Sequence, residues 1–271
     1  MEDRQEFNPR GFEQLIAAVL GAGYRVAPFT RDPDLYSTAT DSQPVVYMRH
    51  DVDFDSHYAR SLAEIETNQG VRATYFFQLR SAAYNLLSPP VLDDIESILA
   101  GGHRVGLHLD ANLYDGDEVG QAVSRELEIF SAYCPDVDLT VISYHRPDRQ
   151  QILRRESPLA WLHAHTYELR FIGPEDDPWY FTDSGCAWGL HGNPLASDLF
   201  SDGRSFQLLL HPIWWIAPGK TADDKLSSLL DQRDAVMRDL TKDWRVEIAF
   251  ARSIERGLLT LSLDSEGDGI P

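Results

Sequence analysis

Side chains able to hold a metal or move a proton recur at one kind of place in this chain, just after a short apolar run. Asp51 and Asp53 follow Val45-Val46-Tyr47-Met48, His108 closes the run from Arg104 to Leu109, His145 follows Leu139 to Tyr144, and His211 follows Phe206 to Leu210. Side chains alternate along a strand, so Asp51 and Asp53 point the same way. Two carboxylates on one face can divide the work, one holding a cation while the other acts as a base. An aspartate with two histidines suits zinc and other late transition metals and leaves positions for water. Water on such a metal reaches a pKa near ~7 and becomes a nucleophile at neutral pH. Each piece alone has a plainer reading. An Asp-x-Asp before a helix usually supplies a cap, here Asp53 or Asp55, and one histidine after an apolar run is usually structural. Repetition at four strand ends outweighs those readings, because a parallel sheet gathers its carboxyl ends, where ligands collect.

The elements that must position these groups follow from periodicity. Asn8-Pro9 opens a helix, with Asn as N-cap and Pro at the first helical position, and Phe12, Leu15, Ile16, Val19 and Leu20 recur at helical spacing. Residues 30–44 read as a loop. The run 45–48 begins a strand buried on both faces. Helices are expected over 56–67, from Pro89-Pro90 to Gly101-Gly102, and over 117–133. Strands are expected over 71–77, 104–109 and 139–144. This alternation of strand and helix predicts a parallel sheet with crossover helices, open or closed into a barrel. Later strands are expected over 165–172, 179–182 and 206–210, and helices over 222–240 and 243–256. The tail 264–271 reads as disordered.

Composition narrows the classes. The chain has 271 residues and is 43% hydrophobic, enough for a large core. Its formal net charge of -19 repels phosphate backbones, which excludes nucleic acid as a natural partner. Cys134 and Cys186 are the only cysteines, too few for a disulfide framework or a cysteine zinc site. Residues 1–6 are charged and carry no apolar segment, and no apolar run approaches the ~20 residues of a membrane span. A cytoplasmic location with no membrane span is therefore expected, as is a small-molecule or carbohydrate substrate. No glycine-rich loop with a following lysine is present, which argues against a phosphate-handling barrel.

Taken together, the ordered motifs between residues 45 and 215 resemble those of the polysaccharide deacetylases, the NodB-like family 4 carbohydrate esterases. They are closest to the bacterial branch whose first motif reads His-Asp-Val-Asp, here His50-Asp51-Val52-Asp53. The resemblance implies an α/β fold, a distorted (β/α) barrel in a single domain over 1–263. It implies metal-dependent removal of an acyl group, usually acetyl from an amino sugar, with zinc or alternatively nickel, cobalt or iron.

Residue by residue, Val52 stands where the family has a metal-binding aspartate. Asp51 is then the base and Asp53 the ligand, the reverse being the alternative. His108 matches the first histidine of the second motif, but Asn112 stands where a second belongs. His145 is the replacement third ligand, with Asp110 and Asn112 as alternatives. Arg146-Pro147 resembles the region whose arginine orients the base. Asp183 to Trp188 approximates the motif that lines the acyl pocket and holds the acid histidine, one residue longer than the family pattern. Leu209-Leu210-His211 supplies the general acid. Trp214 and Trp215 could stack on a sugar ring or simply pack. His50, His57, His103, His163, His165 and His191 are left outside the site. Competing functions are a metal-dependent amidase or formamidase acting on a non-sugar metabolite and a catalytically inactive carbohydrate-binding relic.

Overall fold

A computed structural model describes residues 6–29, 43–115, 118–138, 140–146, 162–163, 180–189 and 191–255. The strand expected over 165–172, Trp179, Pro147 and the tail 264–271 lie outside them. By compactness the chain divides into Met1–Lys225 and Leu226–Pro271.

The first unit is built on a parallel sheet. Its strands are β1 (Arg25–Ala27), β2 (Val45–Val52), β3 (Thr74–Phe77), β4 (Arg104–Leu109), β5 (Val141–Tyr144), β6 (Leu162–His163), β7 (Tyr180–Thr182) and β8 (Phe206–Leu210). They run in the order β6-β5-β4-β3-β2-β8-β7, with β1 added beside β2, and every pairing is parallel. The sheet curls into a half-barrel with helices around it, the distorted (β/α)-barrel architecture expected from the motifs.

β2 is central and buried along its whole length. One edge is shared, β1 pairing with Val45 to Tyr47 and β3 with Arg49 to Val52, while β8 pairs with Val46 to His50 on the other. A strand covered on both faces carries near-continuous apolar residues at its start, as here. β1 was not expected, because three residues beside a polar loop carry no period.

The helices of this unit cover the sheet with one apolar face each. In α1 (Pro9–Gly21) the Asn8 side chain accepts from Gly11 N at 2.8 Å, and Phe12, Leu15, Ile16 and Val19 are buried. In α2 (Ser56–Asn68) the cap is Asp55, accepting from His57 N at 2.9 Å. Asp55 therefore does the local work, and Asp53 is left for other chemistry. The sheet is further flanked by α3 (Pro89–Ala100), α4 (Val119–Tyr133) and the short α5 (Asp198–Ser201) and α6 (Pro212–Ile216). The turn α6 was not expected; Pro212 at its first position starts it directly after β8.

The face of β2 opposite Asp51 holds a buried polar cluster. His50 Nε2 donates to Glu66 Oε1 at 2.7 Å, and the Tyr75 hydroxyl donates to Glu66 Oε2 at 2.7 Å. His103 Nδ1 lies 3.4 Å from the same Oε2 and accepts from Ala73 N at 3.2 Å. Glu66 is fully buried. Burial opposes its charge, but His50, His103 and the Tyr75 hydroxyl hold its carboxyl below the usual carboxylate range.

The second unit contains, among the described residues, the run from Leu226 onward of α7 (Ala222–Glu255). The two helices expected over 222–240 and 243–256 are one. No glycine or proline separates them, and ion pairs from Arg238 to Asp234 (3.1 Å) and Lys242 to Asp239 (2.9 Å) support the turns approaching the expected break. Among the described residues, no helix is long and apolar enough to cross a membrane.

Glu66→Ala strands the His50 and Tyr75 donors in the interior and should cost about 3–5 kcal/mol at pH 7 in a urea titration. Because the folded carboxyl titrates below its unfolded value, Glu66 contributes stability above about pH 4.3 and loses it as pH falls through the folded value. Glu66→Gln should therefore flatten the acid limb of stability against pH; an unchanged limb would contradict the assignment.

Candidate metal and acyl-transfer site

Register brings the candidate residues to one end of the sheet. Val52 pairs with Phe77 and Phe77 with Leu107, so Asp53, Gln78 and His108 come next on three neighbouring strands. His108 pairs with Ser143, which places His145 just beyond β5, and His50 pairs with Leu210, which brings His211 to the level of Asp51.

One oxygen is the focus. Asp53 Oδ1 lies 3.1 Å from His145 Nδ1 and 3.3 Å from His108 Nε2, and the two ring nitrogens are 3.3 Å apart. Asp53, His108 and His145 thus form a set of three donors able to hold a metal ion. Bonds of about 2.0–2.1 Å in a tetrahedral zinc site put neighbouring donor atoms about 3.3 Å apart, which matches this triangle. The tautomer of His108 fits as well. Its Nδ1 lies 3.2 Å from the Ser143 carbonyl oxygen, which can only accept, so a proton sits there and Nε2 is the nitrogen turned toward the set. Without a cation, burial pushes the Asp53 carboxyl up, but hydrogen bonds from His108 and His145 and the charges of His108 and His211 hold it well below the usual carboxylate range.

Asp51 lies beside this set, on the face the alternation requires. It is buried, with Oδ2 3.7 Å from His108 Nε2 and accepting from Ser143 Oγ at 3.2 Å. Its Oδ1 is buried and has no hydrogen-bond partner among the described residues. A buried carboxylate oxygen without a partner needs a ligand or water to satisfy it. The guanidinium near Asp51 belongs to Arg49, whose Nη2 is 3.9 Å from Oδ2 and whose Nη1 donates to Ser143 Oγ at 2.9 Å. Arg146, the arginine expected there, is exposed, has φ 46, and accepts through its carbonyl from Asn112 Nδ2 at 3.4 Å. It follows β5 by two residues, and the left-handed turn carries the backbone away from the direction of the strand.

Across from Asp51 stands His211, gripped by Asp183. The buried Asp183 carboxylate accepts from His211 N (3.1 and 3.0 Å), from His211 Nδ1 (2.6 Å) and from Trp215 Nε1 (2.7 Å). His211 Nε2 is left facing Asp53 Oδ2 at 3.8 Å. Burial opposes the imidazolium, but the Asp183 charge and hydrogen bond, with the charges of Asp53 and Asp51, raise the His211 pKa to about 9.

The remaining candidates stand further out. Trp188 is half-buried, with ring centroids 5.6 Å from Phe7 and 6.1 Å from Trp215. Trp214 is buried, with its ring 6.4 Å from Phe54. Neither indole nitrogen has a hydrogen-bond partner among the described residues. Asp110 caps the turn 111–113 by accepting from Asn112 N, and Asn112 is exposed, so neither belongs to the three-donor set. Sequence reasoning missed Arg49, Gln78 and Ser143, and considered Trp215 only for stacking or packing, not as a donor to Asp183. Arg49 was within reach, since it shares the Asp51 and Asp53 face by alternation. Gln78 also follows an apolar run, but glutamine is rarely read as a site residue.

No family model matches the sequence, and no curated protein matches it. Among solved structures, a chitin deacetylase from the fungal pathogen Colletotrichum lindemuthianum is 15% identical, with TM-score 0.40 over 76% of this chain and 86% of that one. A Streptococcus pyogenes deacetylase in complex with acetate is 14% identical, with TM-score 0.39 over 82% and 87%. A family 4 pseudoenzyme from Bacillus anthracis is 13% identical, with TM-score 0.39 over 70% of this chain and 62% of that one.

In the metal-free protein the His211 ring should titrate near pH 9 by NMR. Asp183→Asn removes the charge that favours the cation while burial still opposes it, so the titration should move down, toward or below the ordinary histidine value of about 6.5. No movement would separate Asp183 from His211 electrostatically.

Proposed function

We propose that this chain is a metal-dependent hydrolase of the NodB-like deacetylase type, removing an acyl group, N-acetyl above all, from an amino sugar or a sugar-containing metabolite. The observation that carries the reading is the three-donor set of Asp53, His108 and His145 flanked by a buried carboxylate and by a histidine braced on a second carboxylate. The motif resemblance supplies the substrate class.

A divalent cation bound by Asp53, His108 and His145, zinc first among the candidates, supplies Lewis acidity toward an acyl carbonyl and an acidified water. Asp51, with its open Oδ1, takes a proton from the attacking water as the oxygen–carbon bond forms. Arg49 and Ser143 hold its other oxygen, Oδ2, and so restrain the carboxylate as a whole. His211 enters as the imidazolium, its Nδ1 proton held by Asp183, and gives the Nε2 proton to the departing nitrogen as the carbon–nitrogen bond breaks. The products are a free amine and a small carboxylic acid.

This division of labour separates the variants. Asp53→Asn should lose bound metal and activity together, read by metal analysis after dialysis. Asp51→Asn should keep the metal and lose ~10²–10⁴-fold in kcat, the usual contribution of a general base. Exchange of these two outcomes would exchange the roles, and full activity of both variants on N-acetylated sugars would end the proposal. His211→Ala should keep the metal and lose more on amides than on activated esters, whose leaving groups need no proton. Hydrolysis of small amides with none of N-acetyl sugars would instead favour the amidase reading.

A further inference from the structure

A fourth polar group meets two of the three donors, and nothing in the motif pattern accounts for it. Gln78 is the first residue after β3 and is buried. Its amide nitrogen lies 3.1 Å from Asp53 Oδ1 and 3.3 Å from His145 Nδ1. Those separations equal the ones among Asp53, His108 and His145, at 3.1 and 3.3 Å. The amide end of Gln78 therefore extends the same cage.

Proton counting shows what the cage is short of. The His145 Nδ1 atom bears either a proton or a lone pair, so it cannot donate to Asp53 Oδ1 and accept from Gln78 at once. One of these two contacts therefore lacks a hydrogen, a conflict that a cation at the centre removes. An amide presents its oxygen or its nitrogen by a half-turn about its last torsion, with little change in shape. Amide oxygen is a suitable donor for divalent metals.

The arm that carries this amide is braced independently. The Tyr84 hydroxyl accepts from Gln78 N at 2.8 Å and donates to the Val52 carbonyl at 2.8 Å. One phenol thereby ties the residue before Asp53 to Gln78 itself. Two positions on neighbouring strands are held at fixed separation, as a ligand pair requires.

We propose that Gln78 is a fourth protein ligand of the cation at this site, turning Oε1 inward when the ion binds. This rests on the metal-site reading above. The consequence is one fewer water on the ion than the three-donor set alone would allow.

The test loads the full chain with Mn²⁺ and counts inner-sphere water by proton relaxation, with Zn²⁺ affinity from chelator competition as a second readout. Gln78→Ala should gain one inner-sphere water and bind Zn²⁺ about tenfold or more weakly. Gln78→Glu retains an oxygen donor and should keep the wild-type water count and bind at least as tightly. A merely structural glutamine would leave the water count unchanged in Gln78→Ala, and that result overturns the inference, as does a water gained in Gln78→Glu. If the wild-type chain binds neither ion in a manner sensitive to Asp53→Asn, the metal-site reading itself fails and Gln78 with it. Binding by wild type with an unmoved water count in Gln78→Ala fails Gln78 alone.

Discussion

A single carboxylate oxygen, Asp53 Oδ1, meets three polar groups from three strand ends within 3.3 Å. Nearly everything else in the first unit can be understood as what keeps that meeting in place. The three approach together only because β2, β3, β4 and β5 run parallel, in unbroken register, and stop at about the same height. Hydrogen-bonded neighbours lie near 4.8 Å apart across a sheet. Side chains from adjacent strands therefore reach a shared point without strain, whereas residues two strands apart need the sheet to curl. That curl turns a row of polar strand ends into a cup.

The cup would be unstable if its charges were left to find their own positions. Two carboxylates, Asp51 and Asp53, stand two residues apart on one buried face, and a third, Asp183, lies close by beneath His211. Each is held differently. Asp183 is saturated by fixed donors from His211 and Trp215. Asp51 is anchored through one oxygen by Ser143 and has the other open. Asp53 faces the ring nitrogens of His108 and His145 through one oxygen. Environment thus places one residue type in three distinct settings.

The sequence made the scaffold and the strand-end groups legible for one reason. Parallel strands buried on both faces are short apolar runs, and a charged residue at the end of such a run is conspicuous. Asp51, Asp53, His108, His145 and His211 could all be picked out in this manner. Supporting residues were legible only when alternation was carried backward into the strand, as for Arg49, which a hydrophobic reading treats as the end of the apolar run. Glu66 was hidden more deeply. It sits on a helix most of whose other polar residues are exposed or half-buried, and only the three-dimensional proximity of His50 and Tyr75 explains a buried carboxylate there. Arg146 shows the opposite failure. Its place after His145 suggested a partner for the base, but a residue at φ 46 no longer obeys the alternation on which that expectation depends.

The position of β2 between β3 and β8 also governs the order in which the protein can be made. β3 follows β2 closely, but β8 begins at Phe206, long after Val52. At ribosomal rates of about 5–20 residues per second, an interval on the order of ten seconds separates the emergence of the two edges. Throughout it, the β8-facing edge of the central strand presents unpaired backbone groups between apolar side chains, a template to which another nascent chain can add. The charged residues at the end of β2 bear on this exposure. Arg49, Asp51 and Asp53 place a desolvation cost on any foreign strand that extends the pairing to the end, and they discourage the wrong neighbour until the right one has been synthesised.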